Sequence, residues 1–316
     1  MGITNIESDA MVADLFTASK TAFRNGLTTT EPVLKQLATV VQSSTRTERY
    51  PFMGMAPAMR EWLGDRVHKA MSAHEYSITN RKFESTITVK RDDIDDDQIG
   101  LLSTVFEDMG AMTALQPDIL LAEALVAGTS ELCYDGTPFF GTAHPVEGQS
   151  NQSNADLGDS NPRWYMVDLS RKIKPLVYQE RRAPEFKSFT SLSDESVFKR
   201  DEYVWGASMR ASVGYGLWQF AYASDGPIVA GFDNADLEAN EAEIEAVWTA
   251  MTSRPSENGQ VVAVRPTHIV CPPILALRFK RILGISTPQY PAGGKSALSD
   301  LGLGLIISDR LSSAAQ

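Results

Sequence analysis

The fold prediction rests on the stretch 76–128, which reads YSITNRKFESTITVKRDDIDDDQIGLLSTVFEDMGAMTALQPDILLAEALVAG. In its first part, Phe83, Ile87 and Val89 share one parity and polar residues occupy the other. A period of two is typical of a half-buried strand. Asn80-Arg81-Lys82 is the predicted turn between this strand and the one before it. The stretch is therefore predicted to begin as a β-hairpin.

After the strand, apolar residues recur at the helical spacing of three or four. The acidic run 92–97 is expected to cap the helix start, because carboxylates there accept hydrogen bonds from unpaired backbone N–H groups. The apolar stripe that follows consists of Ile99, Leu102, Phe106, Met109 and Thr113. A helix that reaches Ala127 and ends at Gly128 would be roughly 45 Å long at 1.5 Å per residue. Such a helix is too long for a compact small domain to bury completely.

Pro117 interrupts the helical pattern. Either the helix kinks there, or a second helix begins with proline in its first turn. We favour a kinked continuation, because the apolar signal continues from Ile119 to Val126 without a loop-like gap. A projecting hairpin that leads into a long, partly exposed helix suits a subunit that reaches its neighbours.

The rest of the chain is predicted to flank this stretch with an arm on one side and β structure on the other. A helix is expected over about 11–24, ended by Asn25-Gly26, and a second apolar series covers 33–41. Short alternating runs separated by turn residues predict strands over about 163–223. A helix near 237–251, a strand at 268–271, a helix from 273 and a last strand at 303–308 complete the chain.

Composition and charge narrow the function classes. The chain has 316 residues, 43% of them hydrophobic, and a formal net charge of -11. No apolar run reaches 18 residues and no basic-then-apolar segment opens the sequence, so neither a transmembrane helix nor a secretory signal is expected. The negative charge argues against tight DNA or RNA binding, because such binding rests on Lys and Arg neutralising phosphates.

The search for reactive and metal-binding motifs returns nothing above background. The alternating aspartates of 93–97 lack the Gly and Glu that a calcium loop requires. Cys133 and Cys271 are expected to be reduced, unpaired and buried. Nucleophilic catalysis by Cys133 with His144 is conceivable but not favoured. We therefore predict no catalytic residue, no cofactor and no metal ligand.

Several stretches resemble the major head subunit of Mu-like bacteriophages and prophages. They are YP at 50–51 through WLGDR at 62–66, NRKFEST at 80–86, RDDIDDDQIG at 91–100, LCYDG at 132–136 with TAHP at 142–145, and FKRDEY at 198–203 with GYGLWQ at 214–219. The motifs are specific in combination. The resemblance covers about residues 50–225 strongly and the remainder weakly.

The resemblance implies an α+β chain with the HK97-like capsid fold. In that fold an N-terminal arm, an extended E-loop hairpin, a peripheral domain with a long spine helix and an axial domain make up the subunit. The implied arm covers 1–49 and the peripheral domain 50–225. The E-loop is expected at about 70–91 and the spine helix at about 94–127. Residues 226–316 would be mainly axial.

The resemblance also implies a structural protein of the virion rather than an enzyme. Hexamers and pentamers of the subunit would assemble in the host bacterial cytoplasm into an icosahedral head around double-stranded DNA, which they would contact only weakly. The other expected partners are a separate scaffolding protein and a portal, with a decoration protein as a further candidate, and no membrane is expected. The residues expected to contact a neighbouring subunit through the E-loop are Arg81, Lys82, Phe83, Ile87 and Val89.

Two other classes stay open at this point. One is a soluble α+β hydrolase with an unrecognised site, which should show a deep pocket with perturbed carboxylates or histidines. The other is a binding module, which should stay monomeric.

Overall fold

A computed structural model describes residues 4–51, 76–95, 101–146, 148–189, 194–229, 234–255, 261–285 and 297–311. Its helices are α1 (Thr4–Thr29), α2 (Arg91–Asp95), α3 (Leu101–Ala114), α4 (Gln116–Ala127), α5 (Glu195–Arg200), α6 (Asn234–Thr252) and α7 (Pro273–Ile282). Its strands are β1 (Ala38–Gln42), β2 (Thr47–Arg49), β3 (Ser77–Thr79), β4 (Arg81–Lys90), β5 (Ala155–Asp156), β6 (Trp164–Val167), β7 (Leu176–Phe189), β8 (Glu202–Tyr215), β9 (Ala221–Ser224), β10 (His268–Cys271) and β11 (Gly304–Ile307).

The first sheet is built on the long antiparallel pair β7 and β8. β4 pairs antiparallel with the other side of β8, and β1 pairs parallel with β7, which gives the order β1-β7-β8-β4. The side chains of β8 alternate, with Tyr203, Trp205, Ala207 and Met209 buried and the residues between them only partly covered. This is the period of two that places one face of a strand on a core.

The predicted hairpin with its turn at Asn80-Arg81-Lys82 is wrong. β3 pairs antiparallel with β2, whereas β4 pairs with β8. Asn80 lies buried between β3 and β4, and its side-chain amide donates to Ser43 Oγ and to the Thr45 carbonyl oxygen. The period of two identified the strand correctly, but it carries no information about a partner that lies far along the chain. The first residues of the expected E-loop, 70–75, lie outside the described residues.

Helices α1 and α3 cross closely and pack on the first sheet. A Cβ atom on Gly26 would clash with the Glu107 carbonyl oxygen, and one on Gly110 would clash with the Phe23 carbonyl oxygen. The predicted helix stop at Asn25-Gly26 is therefore wrong, since α1 continues to Thr29. Gly26 is needed for the close approach of two backbones rather than for a helix end.

The long apolar helix predicted after β4 is described from Leu101 onward as α3 and α4, separated only by Leu115, while its predicted residues 96–100, with Ile99, lie outside the described residues. The backbone of Leu115 stays in the right-handed helical region, and its N–H still donates to the Ala111 carbonyl oxygen. Pro117 lies in the first turn of α4, where the missing proline N–H costs no helical hydrogen bond. The structure thus combines the two alternatives, a nearly continuous helix with a second start at the proline.

The segment Leu101–Ala127 is long and apolar enough to cross a membrane by length and composition alone, with a hydropathy of 1.2. However, 56% of an 18-residue apolar stretch within this segment is buried inside the protein. A buried core helix can have the same length and composition, so the segment is weak evidence for a membrane span. The core contacts of α4, which include Leu120, Leu121 and Leu125, account for the apolar composition.

The second sheet has the strand order β11-β10-β6-β9-β5. All four residues of β6 are buried, because the sheet is covered on both faces. Tyr165 and Val167 belong to the core that contains α4, whereas Trp164 and Met166 belong to the core that contains α6 and α7. The second sheet therefore lies between the long helix on one side and α6 and α7 on the other.

Asp118 fastens the segment before β1 to α4. Its carboxylate accepts hydrogen bonds from the backbone N–H groups of Val33 and Leu34, at 2.7 and 2.8 Å. These groups begin the short 3₁₀ helix Leu34–Leu37, whose Leu34 and Leu37 side chains are fully buried. The carboxylate therefore caps a helix start from a distant part of the chain. Burial raises the pKa of Asp118, although the N–H groups of Leu34 and Val33 act in the opposite direction.

The helix crossing gives a test of this packing. Substitution Gly110→Ala should destabilise the subunit by about 1–3 kcal/mol, because the added methyl group must push α1 away from α3. The control Gly158→Ala adds the same methyl group where no heavy atom lies within 4 Å. We expect the control to change stability by less than about 0.5 kcal/mol. Urea unfolding of the dilute subunit measures both, and equal stabilities would contradict the crossing.

Candidate functional site

The five residues predicted to contact a neighbouring subunit all lie on β4, the edge strand of the first sheet. All ten residues of β4 have a partner on β8, from Arg81 opposite Ala211 to Lys90 opposite Glu202. A strand that is paired in this way does not project from its own subunit. The expected projection of 81–90 is therefore wrong, while the expected contact with a neighbour stays a prediction.

The apolar side chains of β4 face helices of the same chain. Phe83 packs on the main core, Ile87 packs with the Phe23 and Met109 cluster, and Val89 packs with the Phe106 and Trp205 cluster. Each of the three β4 side chains is half-buried. They were predicted to be covered mainly by another subunit, and the structure shows that their own helices already cover part of them.

The two basic residues at the start of β4 lie on opposite faces of the sheet. The Arg81 guanidinium lies 3.2 Å from Glu123 Oε2 on α4 and 5.2 Å from the centre of the Phe83 ring. Both charged partners are more than half exposed, so the ion pair contributes little to stability. Lys82 is exposed on the other face. Arg81 thus lies over the Phe83 ring, whose side chain remains only partly buried.

A groove of about 130 Å³ runs between α3 and the strands β4 and β8. Its apolar lining consists of Phe83, Met109, Met112, Ala207 and Met209. Its polar rim consists of Glu84, Ser85, Thr113, Gln116 and Ser208. Methionine side chains adapt to differently shaped partners, so this lining is suited to protein contact.

One face of α3 beside the groove is apolar and exposed. Leu101 is 60% exposed, Val105 44% and Met112 63%. Spacings of four and seven residues place the three side chains on the same side of the helix. The apolar series predicted for this helix corresponds to the buried side of α3, and the exposed stripe was not predicted. The signal was present in the sequence, since these residues add a second apolar series to the one through Leu102 and Met109.

The pair of Cys133 and His144, considered and not favoured as a nucleophile, does come together in space. Asp135 lies between the two residues. Its Oδ1 accepts a hydrogen bond from the Cys133 thiol at 3.1 Å, and its Oδ2 lies 2.7 Å from His144 Nδ1. Thr137 donates its backbone N–H and its hydroxyl to Asp135 Oδ1. The His144 ring is fully buried and stacks on Trp218 at 4.1 Å.

The electrostatics of this cluster do not activate the thiol. Burial, together with the hydrogen bond and negative charge of Asp135, raises the pKa of Cys133 to about 12. Burial alone would raise the pKa of Asp135 too, but hydrogen bonds from His144, Thr137 and Cys133 lower it to about 2. A thiol with a raised pKa is a poor nucleophile at neutral pH. Cys133 and Cys271 are both buried, which confirms the burial predicted for them. That they stay reduced remains a prediction.

Comparison with known proteins identifies the family. The model of the family described as Mu-like prophage major head subunit gpT matches residues 12–307. The chain belongs to this family. It is 35% identical over 294 residues to the Mu-like prophage FluMu major head subunit of Haemophilus influenzae, which covers 89% of this chain and 91% of that protein. It is 36% identical over 276 residues to the major capsid protein of Escherichia phage Mu, covering 84% and 87%.

Solved structures agree with the family assignment. A chain of the procapsid of bacteriophage JBD30 is similar to this chain with a TM-score of 0.77 and 35% identity, over 95% of this chain and 98% of that one. The predicted α+β class and HK97-like capsid fold are thereby confirmed. The hydrolase and the binding module, the alternatives left open by the sequence, find no support.

The position of Phe83 gives a prediction that separates its two roles. Because Phe83 is half-buried against its own subunit, Phe83→Asp should destabilise the isolated subunit by about 1–3 kcal/mol. Thr88→Asp places the same carboxylate on the exposed face of β4 and serves as the control. Thermal unfolding at low protein concentration compares the two. A Phe83→Asp subunit as stable as the control would show that β4 is not held against α3 and α4.

Proposed function

We propose that the chain is the major capsid protein of a tailed bacteriophage and that its copies tile an icosahedral shell around packaged double-stranded DNA. The observation that carries this proposal is the match along nearly the full chain to the head-subunit family, together with the 35% identity to a procapsid chain of the same fold. The absence of a nucleophile or metalloenzyme motif in the sequence agrees with a structural role. We accordingly propose no enzymatic activity.

The surface around β4 is the part of the described chain best suited to contact another copy. It combines the Met-lined groove, the exposed stripe on α3 and the edge strand. Adjacent apolar surface of this kind marks protein contact sites. The edge strand also presents backbone groups that a neighbouring chain can pair with. The prediction that Arg81, Lys82, Phe83, Ile87 and Val89 contact a neighbour is retained in this form.

The proposed subunit has the predicted arm at 1–49, the predicted peripheral domain at 50–225 and the predicted, mainly axial part at 226–316. The second sheet supports one change to the division between the peripheral domain and the axial part. The second sheet joins β5, β6 and β9 to β10 and β11, so the strands 155–167 and 221–224 go with the axial part. The spine helix corresponds to α3 and α4, and β4 belongs to the sheet rather than to a free E-loop.

The proposed partners are those of a head shell. Copies of the chain would form hexamers and pentamers in the host bacterial cytoplasm, together with a separate scaffolding protein and a portal, and would end in the virion. A decoration protein is a further candidate partner. The net charge of -11 supports weak DNA contact, because like charges repel and few phosphates would be neutralised.

The assembly test uses the exposed stripe on α3. Purified wild-type chain, produced with its scaffolding protein, should form shells, tubes or rings that sediment far ahead of the monomer. Met112→Asp should reduce assembly at least tenfold, because each contact would bury an unpaired carboxylate and the defect repeats at every subunit. The isolated variant should stay folded, since Met112 is 63% exposed.

The matched control is Ile173→Asp, which adds the same charge to an exposed apolar position away from α3 and β4. It should assemble like the wild type. A wild-type chain that stays monomeric at every concentration and salt would overturn the capsid proposal. If Met112→Asp forms normal shells, the α3 stripe is not part of the subunit interface, but the capsid proposal still stands.

A further inference from the structure

The cluster of Cys133, Asp135 and His144 brings three possible metal-ligand atoms together below the surface. One ligand atom of each residue lies within 4.8 Å of the others. Cys133 and Asp135 lie on one tight turn, in which Gly136 N donates to the Cys133 carbonyl oxygen and Cys133 N donates to the Thr137 carbonyl oxygen. His144 reaches the same point from the next loop. A thiol, a carboxylate and an imidazole are the three ligand types that zinc takes in proteins.

Asn154 fixes the orientation of the His144 ring. The Asn154 amide nitrogen donates to the carbonyl oxygens of Phe139, at 2.7 Å, and Trp218, at 3.3 Å. The Asn154 Oδ1 atom therefore points towards His144. It accepts a hydrogen bond from the Gly141 backbone N–H at 2.8 Å and lies 3.1 Å from His144 Nε2. Because Oδ1 is only an acceptor, Nε2 must carry the hydrogen. Metal-binding histidines typically donate their second ring N–H in this way, which fixes the tautomer.

The other ring nitrogen, Nδ1, faces two oxygen atoms. If Nε2 carries the hydrogen of a neutral ring, Nδ1 presents a lone pair, and it lies 2.7 Å from the Asp135 carboxylate and 2.8 Å from Thr137 Oγ1. The Thr137 hydroxyl lies 2.7 Å from Asp135 Oδ1 and donates there. Two acceptors at this distance repel each other unless a proton or a metal ion lies between them. The hydrogen-bonded arrangement described above is the proton-filled form.

We propose that this cluster is a zinc site, with Cys133 Sγ, Asp135 Oδ2 and His144 Nδ1 as protein ligands and water or the Thr137 hydroxyl in the fourth position. Zinc would form bonds to sulfur, oxygen and nitrogen, while the Cys133 S–H proton and the His144 Nδ1–H proton leave to solvent. No oxidation or reduction takes place. The site is separate from the proposed subunit interface on α3 and β4.

The cluster must open slightly to take the ion. Tetrahedral zinc with bonds of about 2.0–2.3 Å holds its ligand atoms about 3.3–3.7 Å apart. In the hydrogen-bonded form Asp135 Oδ2 and His144 Nδ1 are 2.7 Å apart and must separate, while all three ligand atoms already lie within 4.8 Å of one another. The turn can supply this movement. Gly136 at its tip is exposed, has a positive φ of 80° and has no heavy atom within 4 Å of a built Cβ position.

A bound ion would join the turn at 133–137 to the loop that carries His144 and Asn154. The turn follows the end of α4, where Glu131 N donates to the Ala127 carbonyl oxygen, whereas the His144 ring stacks on Trp218, just before β9. Zinc would thus fasten the segment between the long helix and the second sheet. Because the unfolded chain lacks this arrangement, binding should stabilise the folded subunit.

The experiment titrates the chelator-treated full-length chain with Co²⁺ and, separately, with Zn²⁺. We expect one ion per chain, a near-ultraviolet thiolate-to-cobalt charge-transfer band and a higher melting temperature. Cys133→Ser should lose the charge-transfer band and should bind zinc at least about tenfold more weakly than the wild type. The control Cys271→Ser, which removes the other buried thiol, should keep both.

Asp135→Asn provides a second variant in case Cys133→Ser does not fold, and it should also weaken zinc binding at least tenfold. The wild-type spectrum decides the proposal even if neither variant folds. A wild-type chain that binds Co²⁺ without a charge-transfer band, or that binds no Co²⁺, would overturn it. Zinc affinity unchanged in folded Cys133→Ser would overturn it as well.

Discussion

The antiparallel pairing of β4 with β8 is the constraint on which the rest of the first layer depends. It joins the ten residues of β4 to a strand more than a hundred residues later in the chain, and α3 packs on the sheet that results. Once formed, it turns Phe83, Ile87 and Val89 towards the helices of the same chain. Because β4 is the last strand of the sheet, its other edge has no strand partner among the described residues, and an edge of this kind is open to pairing with another chain.

The long helix connects this first layer with the second. Its first half, α3, packs on β8 through Phe106 and Met109, and its second half, α4, enters the main core through Leu121 and Leu125. Asp118, at the start of α4, also holds the segment before β1. A substitution that moves the helix would therefore disturb both sheets. By contrast, the exposed side of α3 can change without affecting either core.

The sequence predicted the elements better than it predicted their partners. The period-two pattern of 83–89 and the helical stripe through Phe106 correspond to β4 and α3, because local side-chain spacing follows local geometry. The hairpin was wrong because the pattern cannot distinguish β3 from β8 as the partner of β4. The stop at Gly26 was wrong because a glycine at a helix crossing looks like a glycine at a helix end.

The same limits apply to the site. The strand that carries Arg81 to Val89 could be recognised from the family resemblance, whereas the groove requires Met109, Met112 and Met209 to meet from separate elements. The grouping of Cys133, Asp135 and His144 depends likewise on a tight turn and on Asn154. Residues on one strand or helix can be grouped by spacing. Residues on different elements become neighbours only through the tertiary fold.

Electron cryo-microscopy of shells assembled from the full-length chain tests the proposed role most directly. The account predicts closed shells in which a second copy of the chain covers the outer edge of β4 and contacts Met112 and Leu101 on α3. Inside each subunit, β4 should remain paired with β8. A map in which the edge of β4 and the α3 stripe face solvent at every subunit position would contradict the account, as would a β4 strand that leaves β8 to pair elsewhere.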